Sequence, residues 1–185
     1  MVYIKFAKLH KDAKIPSKTS ENAGYDIYAA FDEDYIVIKP HETKMIPTGL
    51  CSAFPEDYVM VLKERGSTGT KGIGQRSGIV DASYRGEWFV PVTNHNNKYL
   101  IITKLTPEKT RVDFEVNINK DVTSFMPKFM VDGIFVDAIF YPYEKAITQA
   151  LLLPVPQTEI EECTIEEIHA IKSERGTGKL GSSNK

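Results

Sequence analysis

Ten prolines and twelve glycines are spread through this 185-residue chain so that few stretches leave room for four turns of helix. Between them stand short runs rich in β-branched and aromatic residues, at 2–6, 35–38, 58–62, 88–92, 99–103 and 147–155. Residues 111–119 alternate strictly, with Val112, Phe114, Val116 and Ile118 on one side and Arg111, Asp113, Glu115 and Asn117 on the other. That period of two is the mark of a half-buried strand. So many short strands without helical crossovers predict an all-β fold, an antiparallel sandwich, barrel or jelly roll. One stretch departs from this. Residues 157–174 carry Ile160, Cys163, Ile168 and Ile171 at roughly helical spacing, and Thr164 and Glu167 have capping-box spacing. The stretch is strongly acidic and reads as a solvated connector. After it comes RGTGKLGSSNK, whose composition is that of a flexible tail.

The contents, 42% hydrophobic and 26% charged with a formal charge of -2, are those of an ordinary globular domain. No basic excess draws the chain to nucleic acid or to an anionic membrane surface, so neither is expected as a partner. Cys51 and Cys163 are too few for a disulfide framework, which points to a reducing cytoplasm. The N-terminal MVYIKFAKLHKDAK lacks the apolar core of a signal peptide, and apolar runs such as 150–155 fall far short of the roughly 18 residues that span a bilayer. Several motifs fail on inspection. Gly72-Ile-Gly74 opens like a dinucleotide fingerprint, but Ser77 stands where the third glycine belongs. Gly178-Lys179 is followed by Leu180 rather than Ser or Thr, so it is no Walker loop. His10, His41, His95 and His169 have no ligand spacing with the cysteines, which argues against a zinc site or a Cys–His nucleophile.

Two glycine-rich segments share a chemistry. Glu64-Arg65-Gly66-Ser67-Thr68-Gly69-Thr70-Lys71-Gly72 follows a predicted strand, and RGTGKLGSS repeats its composition near the C-terminus. Small residues let backbone N–H groups converge on an anion, hydroxyls add donors, and Arg65 and Lys71 add charge. A turn or a tail is the commoner use of either composition. Between them, residues 78–87 form a hairpin-like stretch in which one carboxylate, Asp81, stands amid apolar residues, where an aspartate commonly caps a turn.

Taken in order, AGYDIYAA (23–30), RGSTG (65–69), GIVDASYRGEW (78–88) and RGTGKLGSS (175–183) resemble the motifs of the trimeric dUTPases. The resemblance implies a jelly-roll or β-barrel-like protomer, a homotrimer with shared active sites, and hydrolysis of dUTP to dUMP and pyrophosphate. That reaction keeps uracil out of DNA and supplies dUMP for thymidylate synthesis. By the same resemblance, residues 1–156 form the β domain with an extra insert at about 95–143. Residues 157–174 are then a connector and 175–185 a phosphate-binding lid.

The site roles follow from the same likeness. Asp81 is expected as the general base that activates water for attack on the α-phosphate, since an aspartate is ionised at neutral pH and accepts a proton without tuning. The backbone of Gly78, Ile79 and Val80 is expected to pair with the uracil edge, with Gln75 adding a contact, and Tyr84 to lie under the deoxyribose. Arg65, Gly66 and Ser67 are expected on the phosphates, with loop N–H groups aimed at developing negative charge, and Gln149 beside them. Asp26 is expected to orient a water on Mg2+, an ion that keeps its waters and leans on substrate phosphates. Arg175, Leu180, Gly181 and Ser182 are expected to close over the nucleotide as a lid.

Three departures from the family pattern stand out. Leu180 replaces an aromatic residue that stacks on uracil, and stacking is worth about 1–3 kcal/mol, so lid closure is expected to weaken roughly ten- to a hundredfold. Residues 144–149, EKAITQ, keep Gln149 but carry Lys145 and Ala146 where the family has Asp and Arg. Gly66 offers an N–H where a serine would add a hydroxyl. The insert ends in SFMPKFMVDGIFVDAIF, rich in aromatic and Met residues. It reads either as extra strands on the protomer or as a partner-binding surface, since phage-type dUTPases with such an insert engage repressor proteins. Two alternatives to the hydrolase remain at this point: a nucleotide-gated regulator acting through the insert, and a relative of the dCTP deaminases.

Overall fold

Burial sorts the strands before any topology is drawn. The structure, a computed structural model, describes residues 2–105, 128–131 and 134–177, in two compact units, Met1–Val155 and Pro156–Lys185. In the first unit the strands are β1 (Lys5–Lys8), β2 (Tyr25–Ile27), β3 (Tyr35–Ile38), β4 (Thr43–Pro47), β5 (Leu50–Ala53) and β6 (Tyr58–Lys63). A single helical turn, α1 (Gly66–Gly69), follows. Then come β7 (Ile73–Gln75), β8 (Ile79–Val80), β9 (Phe89–Asn94), β10 (Tyr99–Thr103), β11 (Lys128–Val131), β12 (Ile134–Pro142) and β13 (Thr148–Pro154). The predicted strands at 35–38, 58–62 and 99–103 match β3, β6 and β10 within a residue, while those at 2–6, 88–92 and 147–155 are β1, β9 and β13 with shifted ends. The alternating stretch 111–119 lies outside the described residues.

The strands form four sheets, ordered β1-β5, β4-β9-β7, β2-β13-β6-β8 and β11-β12-β10-β3. In β9 every residue from Val90 to Asn94 is buried, as befits a strand flanked by β4 and β7. Strand β10 divides its side chains between two cores. Leu100 and Ile102 join the main cluster with Trp88, Val90 and Ile38, while Ile101 packs on the opposite face with Ala138. Alternation puts successive side chains on opposite faces, so one strand seals both. Asn94 is fully buried and its amide donates to the carbonyls of Ile38 (3.1 Å), Lys39 (3.1 Å) and Lys98 (2.7 Å), knitting the turn after β9 to β3.

The wholly antiparallel architecture expected from the sequence needs one correction. Strands β10 and β12 pair in parallel, Tyr99 opposite Ala138 through Thr103 opposite Pro142. A parallel pair cannot be joined by a tight turn; here the chain between them carries the long insert. Strands β11 and β12 are a hairpin, Lys128 opposite Asp137, so described residues of the insert extend the sheet as added strands.

In the second unit, α2 (Ile165–Ala170) begins at the capping box predicted from Thr164 and Glu167. The Thr164 hydroxyl accepts from Glu167 N at 3.2 Å, and the Glu167 carboxylate accepts from Thr164 N at 2.7 Å. The backbone N–H of Thr164 holds the Glu167 carboxyl below the usual carboxylate range, with the Thr164 hydroxyl adding to it. All described residues of this unit are exposed.

Trp88 anchors the main core at 1% exposure, its ring edge-on to Phe6 with centroids 5.4 Å apart. Trp88→Ala is expected to cost about 3–5 kcal/mol, read as a lowered urea midpoint with unchanged slope.

Candidate functional site

The register of β13 assembles the site. Gln149 lies opposite Asp26 of β2 on one side and opposite Lys63 of β6 on the other. Strand β6 then runs straight into the glycine-rich loop, whose residues 66–69 close into α1. Thr68 is buried and ties this turn together, its hydroxyl donating to Arg65 O at 2.9 Å and accepting from Arg65 N at 3.1 Å. Gly66 and Ser67 form the first turn and are exposed, and N–H groups there have no intrahelical partner.

Arg65 and Asp26 meet as a forked pair, Nε to Oδ1 at 3.0 Å and Nη2 to Oδ2 at 3.2 Å, with side chains 28% and 35% exposed. Bidentate geometry fixes the plane of the guanidinium as well as its position. Its remaining nitrogen, Nη1, donates to Ser67 Oγ at 3.3 Å and to Ala146 O at 3.4 Å. That same carbonyl accepts from Tyr141 Oη at 2.6 Å. The position where the family's arginine is missing therefore contributes its backbone to the site, and Tyr141 is a residue that sequence reasoning missed. No short-range signal marks it: its place depends on the β10–β12 pairing.

Gln149 donates to Glu64 O at 2.9 Å. A Cβ on Gly24 would stand 2.4 Å from Gln149 Oε1, which explains the glycine in the first motif. The Glu64 carboxylate accepts from Gln75 N at 3.2 Å, and its own and Gln75's backbone N–H groups hold its carboxyl below the ordinary range. The Gln75 side-chain amide donates to the carbonyls of Arg76 and Ser77, bracing a turn in which Ser77 has φ 47°.

The hairpin 78–87 lies on the same sheet. Leu62 N donates to Gly78 O at 2.7 Å, and a Cβ on Gly78 would meet Leu62 O at 2.5 Å, so only glycine allows this approach. Among the described residues strand β8 pairs with β6 alone and ends the sheet, leaving one edge of the Ile79–Val80 backbone without a strand neighbour there. Asp81 and Tyr84 share the next turn, with Tyr84 N donating to Asp81 O at 3.0 Å. The Tyr84 hydroxyl donates to Glu87 O at 2.9 Å, which fixes a ring that is 45% exposed. Asp81 is exposed.

Within one chain these residues form two groups. Asp26, Arg65, Ser67 and Gln149 come together at one end of the sheet, with Gly78 close by on β6. Strand β8 runs away from that row, and at a rise of about 3.3 Å per residue Asp81 lies about 10 Å along it from Gly78. Arg175 is an exposed residue of the second unit, and Leu180, Gly181 and Ser182 lie outside the described residues.

As a metal donor set the first group is sparse. Among the described residues no three His, Cys, Asp or Glu side chains cluster as metal ligands, and both Asp26 oxygens are engaged by Arg65. That chemistry fits a magnesium ion carried mainly by phosphates and water, not a protein cage. No helix among the described residues is long and apolar enough to cross a membrane.

The family model for dUTPase matches residues 11–106. A deoxyuridine 5'-triphosphate nucleotidohydrolase from Nautilia profundicola is 31% identical over 186 residues, covering 98% of this chain and 99% of its own. The chain belongs to the dUTPase family. Among solved structures, a point mutant of the Staphylococcus bacteriophage 80alpha dUTPase with dUpNHpp superposes with a TM-score of 0.69 at 22% identity, covering 98% of each chain. Another structure of the 80alpha dUTPase, with dUPNHPP, gives 0.69 at 21% identity over 99% of each chain. These likenesses establish the all-β dUTPase fold.

The forked pair is part-exposed, so its worth in stability is small. Asp26→Asn is expected to lower stability by about 1 kcal/mol or less while weakening triphosphate binding by a clearly larger factor, checked by urea unfolding and calorimetric titration on the same preparation.

Proposed function

We propose that this chain hydrolyses dUTP to dUMP and pyrophosphate. Family membership over nearly the whole length supports the reaction, and the observation that carries it is the Arg65 guanidinium, held in plane by Asp26 beside the first-turn N–H groups of Gly66 and Ser67. A planar cation and convergent N–H groups suit a polyphosphate. Gln149, directly opposite Asp26 in the same row, adds an amide.

The open edge of β8 supplies the base selectivity. An edge strand presents unpaired N–H and C=O groups, so Gly78, Ile79 and Val80 read the uracil edge with backbone, a slot that leaves no room for a ring methyl. Gln75 supports the turn that presents them. Tyr84, tethered through Glu87, is the platform under the deoxyribose. Asp81 takes the proton of the attacking water, and its exposed position before substrate arrives suits a base that must admit water. Asp26 is the residue that would hold magnesium, through water, and the ion's contribution when bound is to neutralise phosphate charge. Arg175, Leu180, Gly181 and Ser182 close the site as a lid.

Because β8 carries Asp81 away from Arg65, one chain does not gather the full set, and the working enzyme is a homotrimer whose sites combine groups from different copies. Residues 1–156, 157–174 and 175–185 act as β domain, connector and lid, in the cytoplasm. The decisive experiment measures pyrophosphate release from dUTP, dTTP, dCTP and UTP, with magnesium and with EDTA, together with solution mass. Fast, magnesium-dependent release from dUTP alone by a trimer, abolished in Asp81→Asn with nucleotide binding retained, is the expected result. Release of ammonia from dCTP, followed in a parallel assay, would point instead to the deaminase branch.

A second reading concerns the insert. The 80alpha phage dUTPases are described as controlling transfer of virulence genes by a proto-oncogenic G protein-like mechanism. Here the β11–β12 hairpin extends a sheet and exposes Met130 at 46% and Ile134 at 67%, side chains suited to a repressor-like protein partner. Replacing both exposed side chains, Met130→Ser with Ile134→Ser, is expected to abolish capture of such a partner while dUTP hydrolysis persists, checked by pull-down beside the activity assay.

A further inference from the structure

Tyr141 is the penultimate residue of β12, fixed opposite Ile102 by the parallel pairing with β10, and is 2% exposed. Beyond it, Tyr143 N donates to Thr103 O at 2.8 Å and pins the strand's exit. The ring shares a closed apolar space with Thr68 of α1, Ile73 and Ile147, directly beneath the phosphate loop, and the Lys71 ammonium stands 5.9 Å from the ring centroid on the loop side. Its hydroxyl spends its proton on Ala146 O at 2.6 Å, the carbonyl that also receives Arg65 Nη1 at 3.4 Å. An acceptor oxygen has two lone pairs, and here one is taken by a short, rigid bond from the core and the other faces the guanidinium.

We infer that Tyr141 is a positioning residue for the reaction, holding the Ala146 carbonyl where it sets the outer nitrogen of Arg65 against the substrate phosphates. The inference rests on the reading of Arg65 as a phosphate-binding residue. Asp26 accepts from Nε and from one N–H of Nη2, whereas both N–H groups of Nη1 face protein acceptors, Ser67 Oγ at 3.3 Å and Ala146 O at 3.4 Å, contacts long enough for a ligand to compete with. A long 3.4 Å contact holds that nitrogen in plane without competing strongly for it. Were the carbonyl released, residues 144–147 between β12 and β13 could turn it fully toward Nη1, and the guanidinium would bind its own backbone in place of the ligand. Burial pushes the Tyr141 phenol up, with Arg65 and Ser67 pulling the other way, so the hydroxyl is a proton donor at neutral pH. Ala146 has no polar side chain to offer, so its carbonyl is its one polar contact with Arg65, and Tyr141 supports that carbonyl from the core.

The test is a double-mutant cycle. Affinities for dUpNHpp and for deoxyuridine are measured by calorimetry on wild type, Tyr141→Phe, Arg65→Ala and the double variant, with kcat and KM for dUTP on each. Tyr141→Phe is expected to weaken dUpNHpp roughly three- to tenfold, the worth of one hydrogen bond, and to leave deoxyuridine unchanged. In the Arg65→Ala background the effect is expected to vanish, and 4-aminophenylalanine in place of Tyr141 is expected to restore binding. Equal losses for both ligands, or the same factor in both backgrounds, would reduce Tyr141 to a structural residue and overturn the inference. If Arg65→Ala itself left dUpNHpp affinity intact, the phosphate reading would fail and this inference with it. Should Tyr141→Phe not fold, 4-fluorophenylalanine at the same position fills the phenol's volume without donating and takes its place in the cycle.

Discussion

The site depends on β13 lying between β2 and β6 in one register. With Gln149 opposite both Asp26 and Lys63, the carboxylate that orients Arg65 and the strand that delivers it are brought to one level. A slip by one residue would exchange faces along the whole strand. Two flanking residues resist it: Ala150 is fully buried, and Thr148, also buried, donates its hydroxyl to Lys63 O at 2.7 Å. Putting Gln149 in either place would bury its amide. Core packing therefore sets the alignment of polar groups that themselves contribute little to stability.

From that row outward, precision passes through backbone more than through side chains. Arg65 is tuned by the carbonyl of Ala146, Gln149 by the carbonyl of Glu64, and the turn before β8 by Leu62 and Gly78. Carbonyls are indifferent to the residue that carries them, so Ala146 meets Arg65 through its backbone with no functional side chain of its own, and that carbonyl also accepts from Tyr141 in the core.

This explains which features were legible in the chain and which were not. Strands such as β3, β6 and β10 announce themselves because β-branched and aromatic runs there are buried on at least one face. The capping box at Thr164 is a local signal and was readable for the same reason. Strands β2 and β7 are three residues long, and β8 only two, and they exist because longer strands pair with them; too few positions alternate to betray them. The motifs 23–30, 65–69 and 78–88 were visible because crowding favours glycine at Gly24, against the Gln149 side chain, and at Gly78, against the Leu62 backbone, and because Asp26, Arg65 and Asp81 stand among those glycines in the sequence. The parallel β10–β12 pair and Tyr141 were invisible, since both follow from a crossover that no local pattern encodes.

The placement of β13 also orders events in time. Asp26 and Gln149 stand near opposite ends of the chain, and a nascent polypeptide emerges N-terminus first. Until β13 has been made, β2 and one edge of β6 are bare, and bare edges invite pairing with the wrong chain. Non-local pairings of this kind also slow folding. The row of Asp26, Gln149 and Arg65 is thus among the last parts of the sheet to close, so synthesis halted short of residue 148 would yield a chain that holds most of its strands, with Asp26 and Arg65 both made, yet lacks the strand that aligns them.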